Sequence, residues 1–325
     1  MNTFPMLLAM LAATPFAFAQ DPGPRGFSPQ VLHTVERLAM DVRARGLGFQ
    51  VAVNPAMQYP LDRLCGLNPS LQPADFRTHE PGGFMNYEID AVAATLPRTY
   101  VGYFSSVKNQ GDCGSCWAFA TVGNLEAAYL KRKGAPQGLV NADGSITVSA
   151  AYPDLAEQQL LSCNPWGWAC NGGFFAYDML MAAKAGPSGY YPGAAWETAF
   201  PYVSDATACA IGAAPRYVPV TKWGYVGSAN GTPSVAALKS AIFKYGSVSA
   251  GIYADEYFQG YQKGIFSDGQ SYDSINHAIL LVGWDDAKGA WLLKNSWGPA
   301  WGVNGFMWIK YGTCNVGQSA AWVNG

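Results

Sequence analysis

The 325-residue sequence has little charge. Lysine and arginine total 20, aspartate and glutamate total 22, and the formal net charge is -2. The basic residues form no run, so the chain lacks the electrostatic footprint of a protein that binds DNA, RNA or an anionic membrane surface. No group of residues has the spacing of a metal site. Nucleic acid is therefore a poor prediction as a partner, and we expect no metal and no cofactor.

Beyond the N-terminus no segment is long and apolar enough to span a bilayer. Residues 1–19 are apolar and end in Ala17-Phe18-Ala19, the small-x-small pattern that precedes signal-peptide cleavage, although no lysine or arginine stands at the start. We therefore expect cleavage near Ala19 and export to an extracellular, periplasmic or lysosome-like compartment. A buried N-terminal helix is the alternative interpretation.

Cysteine is present in an odd number. In an exported chain this count indicates paired cysteines plus one free, reactive thiol. The seven positions are Cys65, Cys113, Cys116, Cys163, Cys170, Cys209 and Cys314.

Hydrophobic periodicity predicts helices in the first part of the chain and strands in the second. Pro29 to Gly46 has one apolar face, and Phe49 to Val53 alternates as a strand does. Trp117 to Lys133, rich in alanine and leucine and basic at its end, is the strongest predicted helix. Ala135 to Tyr152 reads as a loop or small hairpin, and Asp154 to Ser162 as helical. Strands are predicted at Tyr217 to Tyr225, Val248 to Tyr253, Ala278 to Trp284, Trp291 to Lys294 and Gly305 to Lys310. The pattern favours an α+β fold with two subdomains.

Cys116 lies at the first turn of the strongest helix, in the segment Gln-Gly-Asp-Cys-Gly-Ser-Cys-Trp. A helix N-terminus stabilises a thiolate, so we expect a lowered pKa and a reactive sulfur. The two glycines allow a tight fold that brings Gln110 beside Cys116. The Gln110 amide is then placed to donate to an oxyanion formed when Cys116 attacks a carbonyl.

His277 and Asn295 are the predicted partners of this nucleophile. His277 opens an apolar strand, and Asn295 directly follows another. A histidine held there can act as base, and the asparagine carbonyl can fix its tautomer. Trp297 would shield that hydrogen bond from water. A core histidine and an ordinary buried cysteine are the alternatives, which the combination of residues disfavours.

Five segments resemble the papain-like cysteine peptidases. They run in the family's order: VKNQGDCGSCWAF from Val107, LAEQQLLSC from Leu155, CNGG from Cys170, NHA from Asn276, and NSWGPAWGVNGF from Asn295. The resemblance implies a helical left subdomain and a β-barrel-like right subdomain with the active-site cleft between them, preceded by a small propeptide. The corresponding domains are a signal peptide at 1–19, an inhibitory propeptide at 20–95 and a peptidase domain at 96–325, divided into 96–210 and 211–325. A separate binding module or a spacer is the alternative for the N-terminal region.

The same resemblance implies residue roles. Cys116 is the nucleophile, His277 the base and acid, Asn295 the orienting group and Gln110 the oxyanion donor. It also implies the disulfides Cys113 to Cys170 and Cys163 to Cys209. The substrate-binding residues carried over are Gly172 and Gly173 as bare backbone for an extended substrate, Phe174, Phe175, Gly251, Ile275 and Ser319 around an apolar specificity pocket, Asn276 in the NHA segment, and Trp297 and Trp301 on the leaving-group side.

One departure from the family leads to a further expectation. The cysteine usually found shortly before the catalytic histidine is absent, which leaves Cys314 without its family partner. Cys65 is also left over, so we expect Cys65 to pair with Cys314 and tie the N-terminal region to the catalytic domain.

Together these features predict a monomeric, exported cysteine endopeptidase that acts on polypeptides through a Cys116 thioester and is made as a self-inhibited zymogen. No insertion that would block one end of the cleft is recognisable, which favours an endopeptidase. A catalytically silent binding or inhibitor protein on the same fold, or a thiol acyltransferase, remains the alternative.

Overall fold

A computed structural model describes residues 26–72, 95–181, 192–212 and 214–325. The predicted signal peptide and its cleavage site near Ala19 lie outside the described residues. So do residues 20–25 and 73–94 of the predicted propeptide. The helices are α1 (Pro29–Ala44), α2 (Leu61–Leu64), α3 (Cys116–Arg132), α4 (Glu157–Cys163), α5 (Val235–Tyr245) and α6 (Glu256–Gln259). Within the described ranges, no helix is long and apolar enough to cross a bilayer.

Thirteen strands are formed by the described residues: β1 (Phe49–Val51), β2 (Thr99–Val101), β3 (Leu139–Val140), β4 (Ile146–Thr147), β5 (Ala194–Ala195), β6 (Arg216–Val218), β7 (Lys222–Tyr225), β8 (Val248–Ile252), β9 (Tyr261–Phe266), β10 (His277–Asp285), β11 (Ala290–Lys294), β12 (Phe306–Lys310) and β13 (Gln318–Asn324). The main sheet has the order β1-β9-β12-β11-β10-β8-β13-β7, with β2 paired to β10. Two short pairs, β3 with β4 and β5 with β6, lie outside it.

The sheet differs from the predicted β-barrel-like subdomain because it does not close. Among the described strands, β1 and β7 stand at opposite ends of the hydrogen-bonded path and do not pair with each other. The edge position of β1 also shows that the N-terminal region extends the sheet of the C-terminal half, through antiparallel pairing with β9.

The helix α3 forms where alanine and leucine dominate, one residue earlier than predicted, and nearly all of it is buried. The helix α5 was not predicted and interrupts the strand-rich half. Its local signals are clear: the Ser234 hydroxyl accepts the Ala237 N–H at 3.1 Å, and Gly246 ends the helix with a φ of 103°. The strands β9 and β13 were likewise missed, since their sequences alternate poorly.

The buried hydrophobic residues form two cores, and Cys116 belongs to the first of them. One is built from α3 and the residues that pack on it, including Trp117 and Phe174. The other is built from the main sheet and also contains Val42, Phe49 and Leu64 of the N-terminal region. The N-terminal region therefore shares its core with the sheet and does not form an independent one.

Two disulfides form, and they are the pairs that the resemblance implies. Cys113 joins Cys170 with an S–S distance of 2.04 Å, and Cys163 joins Cys209 at 2.07 Å. The expected bridge between Cys65 and Cys314 is wrong, because both are free thiols. The Cys314 sulfur lies 3.5 Å from a carboxylate oxygen of Asp268 instead.

Candidate active site

Cys116 is the first residue of α3, and its side chain is fully buried. The sulfur accepts a hydrogen bond from the Gly66 N–H at 3.3 Å. Burial raises the pKa of the Cys116 thiol to about 11, and backbone N–H groups, including those of Gly66 and Ala278, offset this only in part. The expected lowering by the helix dipole is thus outweighed in this closed state, where the sulfur is a neutral thiol.

His277 and Asn295 come together because β10 and β11 are antiparallel neighbours. The register pairs Leu280 with Lys294, so Asn295, the residue after β11, follows opposite Ile279, two residues along β10 from His277. The His277 Nε2 atom lies 2.8 Å from Asn295 Oδ1. An amide oxygen only accepts, so Nε2 carries the proton and Nδ1 holds the free lone pair. Nδ1 is buried and has no hydrogen-bond partner in the described structure, which leaves it ready to accept a proton.

Aromatic rings enclose the histidine. The Trp297 ring centroid lies 4.7 Å from that of His277, and Phe258 meets the imidazole edge-on at 6.0 Å. Burial lowers the pKa of His277 to about 4, partly opposed by the hydrogen bond with Asn295. The imidazole is therefore neutral at ordinary pH, and Trp297 lies where the sequence predicted a shield.

The Gln110 side chain points its amide at a carbonyl. Its Nε2 donates to the Leu64 oxygen at 2.8 Å and to the Cys113 oxygen at 2.7 Å. The Ser296 hydroxyl donates to Gln110 Oε1 at 2.7 Å, which fixes the direction of the amide. The Tyr202 hydroxyl donates to the Gln110 backbone oxygen at 2.8 Å and anchors the loop.

The N-terminal segment Cys65 to Asn68, which follows α2, crosses this site in extended form. Leu67 donates its N–H to the Asn276 oxygen at 2.9 Å. Asn68 donates to the Gly173 oxygen at 3.0 Å, and Gly173 donates back to the Gly66 oxygen at 2.9 Å. The bridge between Leu67 and Gly173 is parallel. The backbone of Gly173 and Asn276, two predicted substrate contacts, is thus paired with the chain's own N-terminal region.

Leu67 fills an apolar pocket. Its side chain is 3% exposed, and a Cβ atom built on Gly251 would lie 3.2 Å from Leu67 Cδ2 and 2.3 Å from Ile275 Cδ1. Gly251 thus leaves room for Ile275 and Leu67 together. Phe174 and Phe175 are fully buried in the core that also contains Leu67.

The remaining predicted binding residues, Gly172, Trp301 and Ser319, are all buried. Gly172 adopts a φ of 128°, which favours glycine, and a Cβ atom there would lie 3.1 Å from the Gly66 oxygen. Trp301 packs against Trp297 at 5.6 Å and is fully buried. Ser319 is fully buried, and its hydroxyl has no partner in the described structure.

The site also contains residues that the sequence did not single out. Leu64, Gly66 and Leu67 contact the candidate catalytic groups or their neighbours, yet a short Leu-Cys-Gly-Leu run carries no recognisable pattern. Ser296 was within the Asn295 segment, and its role depends on a contact with Gln110 that spacing does not reveal. Among the described residues, no group of three or more histidines, cysteines or acidic residues is placed to hold a metal ion.

A thiol at a helix start, an imidazole fixed by an amide oxygen, and an amide donor aimed at a carbonyl meet where the two cores join, beneath the chain's own N-terminal segment. These features are those of a cysteine protease. The chain belongs to the papain family of cysteine proteases, because the family model described as papain family cysteine protease matches residues 94–323.

Two curated proteins are similar to this chain in sequence. Gamete and mating-type specific protein A of Dictyostelium discoideum is 33% identical over 230 residues, which are 69% of this chain and 44% of that protein. Cathepsin K of Mus musculus is 31% identical over 227 residues, 68% of this chain and 61% of that protein. The chain therefore spans 44% and 61% of the length of these two curated relatives.

Among solved structures, a recombinant stem bromelain precursor is similar in fold. The TM-score is 0.70 at 22% identity, with 91% of this chain and 90% of that chain covered. The covered part exceeds the stretch that matches the family model, so part of the N-terminal region is included in the shared fold.

Proposed function

We propose that this protein is the zymogen of an exported cysteine endopeptidase, with Cys116 as nucleophile and His277 as its base. The single observation that carries the proposal is the free Nδ1 lone pair of His277, which the Nε2 contact with Asn295 at 2.8 Å leaves as the proton acceptor. The two disulfides suit an oxidising compartment and support export.

The chemistry starts with transfer of the Cys116 proton to His277 Nδ1 once a substrate replaces the N-terminal segment. The thiolate attacks the scissile carbonyl carbon, and the Gln110 amide donates to the oxyanion. Collapse breaks the C–N bond, and the imidazolium gives its proton to the leaving amine. Water, deprotonated by His277, then hydrolyses the Cys116 thioester.

The N-terminal segment escapes this attack because of what it presents to the sulfur. The Cys116 sulfur accepts a hydrogen bond from the Gly66 N–H, which is a donor and not an electrophile. The Leu64 oxygen meanwhile occupies the Gln110 donor. The segment therefore fills both reactive positions without offering a bond to cleave, which supports its role as intramolecular inhibitor.

The pocket that holds Leu67 indicates the substrate class. Its lining by Ile275 and Gly251 is apolar and uncharged. We expect polypeptide substrates with a leucine-like side chain in this pocket, because a charged side chain would lose its hydration there without a partner.

Labelling with an active-site epoxide of the papain type tests this function. The protein is first freed of residues before position 96 under reducing conditions, and the modified residue is located by mass spectrometry. We expect labelling of Cys116, its loss in His277→Ala, and cleavage of peptides with internal leucine. Labelling without peptide hydrolysis, but with transfer to an added amine, would favour the acyltransferase; absence of labelling in a folded sample would favour a binding protein.

A further inference from the structure

Two free thiols of separate parts of the chain meet at the active site. Cys65 belongs to the N-terminal segment and is half-buried, and Cys116 is the candidate nucleophile. The Gly66 nitrogen, which is 3.3 Å from the Cys116 sulfur, is bonded to the carbonyl carbon of Cys65. Standard bond lengths then place the Cys65 Cα within about 6 Å of that sulfur.

This separation is compatible with a covalent bond between the two residues. Disulfides usually hold the two Cα atoms about 4.4 to 6.8 Å apart, so the Cys65 side chain must rotate toward Cys116 and the segment must shift until the two Cα atoms reach that range. Their mutual influence agrees with this placement: after burial, the nearby Cys116 is the next cause that raises the pKa of the Cys65 thiol.

The other five cysteines have neighbours of their own. Four form the two disulfides of the catalytic domain. Cys314 lies against the Asp268 carboxylate. The free cysteine of the N-terminal region is thus the one that lies over the nucleophile.

We propose that Cys65 and Cys116 form a disulfide that covalently latches the N-terminal segment onto the active site. The latch is a regulatory form of the site, and only its consequence for activity rests on the proposed function. While the disulfide is closed, the Cys116 sulfur is bonded to the Cys65 sulfur and is not available as a thiolate. The segment also cannot leave.

A low-molecular-weight disulfide supplies the oxidising equivalents. The half-buried Cys65, as thiolate, attacks one sulfur of the small disulfide and expels one thiolate. The Cys116 thiolate then attacks the Cys65 sulfur and expels the second. Two protein thiols become one disulfide, the small disulfide becomes two thiols, and the two protein protons end on the leaving groups.

The latch makes release of the N-terminal segment depend on two events. Cleavage of the chain between residues 72 and 95 leaves the fragment with Cys65 still attached to the nucleophile. A thiol reductant must also break the bond before the cleft opens. Either event alone leaves the site covered.

Disulfide mapping of the full-length zymogen tests the proposal. The protein is incubated with oxidised glutathione at mildly alkaline pH, because burial raises the pKa of both thiols, and free thiols are alkylated in denaturant before non-reducing tryptic digestion. Cys65 lies in the tryptic peptide 64–77 and Cys116 in 109–131. Matched variants are Cys116→Ser, which removes the acceptor, and Cys314→Ser, which removes the other free cysteine.

In the wild type, we expect the number of alkylated thiols to fall from three to one. Peptide 64–77 should be joined to the disulfide-linked peptides of the catalytic domain in the wild type and in Cys314→Ser. In Cys116→Ser, peptide 64–77 should be released. The proposal is overturned if peptide 64–77 stays alkylated, carries only glutathione, joins peptide 311–325, or remains joined in Cys116→Ser. This result is read as a mass, so it is independent of peptidase activity: an inactive protein can form the bond, and an active one can lack it.

Discussion

Gly66 controls how closely the N-terminal segment approaches the nucleophile. A Cβ atom built on this residue would lie 1.7 Å from the Gly114 carbonyl oxygen, which belongs to rigid backbone next to the disulfide Cys113–Cys170. Any side chain at position 66 must therefore lift the segment from the cleft. We expect Gly66→Ala to weaken docking of the segment by about 1–3 kcal/mol, the usual cost of overpacking.

The rate at which purified zymogen converts itself to the processed form measures this effect. Gly66→Ala should process about fivefold to a hundredfold faster than wild type, since about 1.4 kcal/mol corresponds to a factor of ten. Gly26→Ala is the matched control, because a Cβ atom there meets nothing within 4 Å. Equal rates in the two variants would contradict a steric role for Gly66.

Residue roles could be proposed from sequence wherever they depend on chemistry within a short motif. Cys116, His277 and Asn295 were recognisable as candidates because each stands at the start or end of a periodic segment. Cys65 was assigned to the wrong partner, since counting cysteines reveals which thiols remain but not where the chain passes. The position of Cys65 over Cys116 depends on close backbone packing of Gly66 on Gly114, which no local pattern shows.

At the scale of elements, α1 and β1 attach the N-terminal region to the sheet. Leu38 on α1 is fully buried, and its Cδ1 atom lies 3.7 Å from the Cβ position of Gly260, between α6 and β9. Leu32 on the same helix is 42% exposed. The two leucines thus form a matched pair, one on the docked face and one in solvent.

We expect Leu38→Ala to destabilise docking of α1 by about 2–5 kcal/mol, because the buried isopropyl group of the leucine is lost and a cavity remains. Leu32→Ala should change it by about 0.5 kcal/mol or less. Hydrogen exchange of the α1 amides, measured in a Cys116→Ser background to prevent processing, gives both values. Similar protection loss in both variants would show that α1 is not held by its buried face.

Elements were predictable where periodicity was strong and missed where tertiary contacts decide. The helix α3 was predictable because its alanine-rich sequence has a high helix propensity. The strands β9 and β13 contain glycine, serine or lysine, and only pairing with neighbouring strands stabilises these residues in a sheet. The open end of the sheet at β1 depends on pairing between residues more than 200 positions apart, and pattern alone does not predict such a pair.

On the scale of the whole molecule, a buried charged cluster joins α3 to α4 through Lys108. Lys108 Nζ lies 3.0 Å from Glu126 on α3 and 2.9 Å from Glu157 on α4. Burial opposes the charge on Lys108, but the carboxylates of Glu126, Glu157 and Asp154 outweigh it and raise its pKa. Burial also raises the pKa of Glu157, and the Lys108 ammonium opposes that rise.

We expect Lys108→Met to lower the free energy of unfolding by about 3–5 kcal/mol, because it leaves buried carboxylates without their cation. Lys133→Met, at an exposed position, is the control and should change little. Denaturant unfolding measures both. The double variant Lys108→Met with Glu157→Gln should recover part of the loss; no recovery would mean that lost packing, not unpaired charge, causes it.

Acid should open the zymogen through His277. In the closed state burial holds the pKa of this imidazole at about 4, against 6.5 when it is free of such burial. Opening between these values therefore takes up a proton, so the closed state is fully favoured above pH 6.5 and loses that advantage as the pH falls toward 4. Asp41, whose pKa is lowered by hydrogen bonds from Tyr257 and Arg45, acts in the same direction only below its usual value of 3.8.

The expected slope is up to about tenfold in the opening constant for each pH unit within this window, as uptake of one proton requires. Limited proteolysis of residues 61–72 in Cys116→Ser zymogen, from pH 7 to pH 4, measures it without self-processing. His277→Asn removes the titrating group and should flatten the profile between 6.5 and 4. If that variant keeps the wild-type slope, groups other than His277 govern opening, and the buried imidazole is not the site at which acid acts.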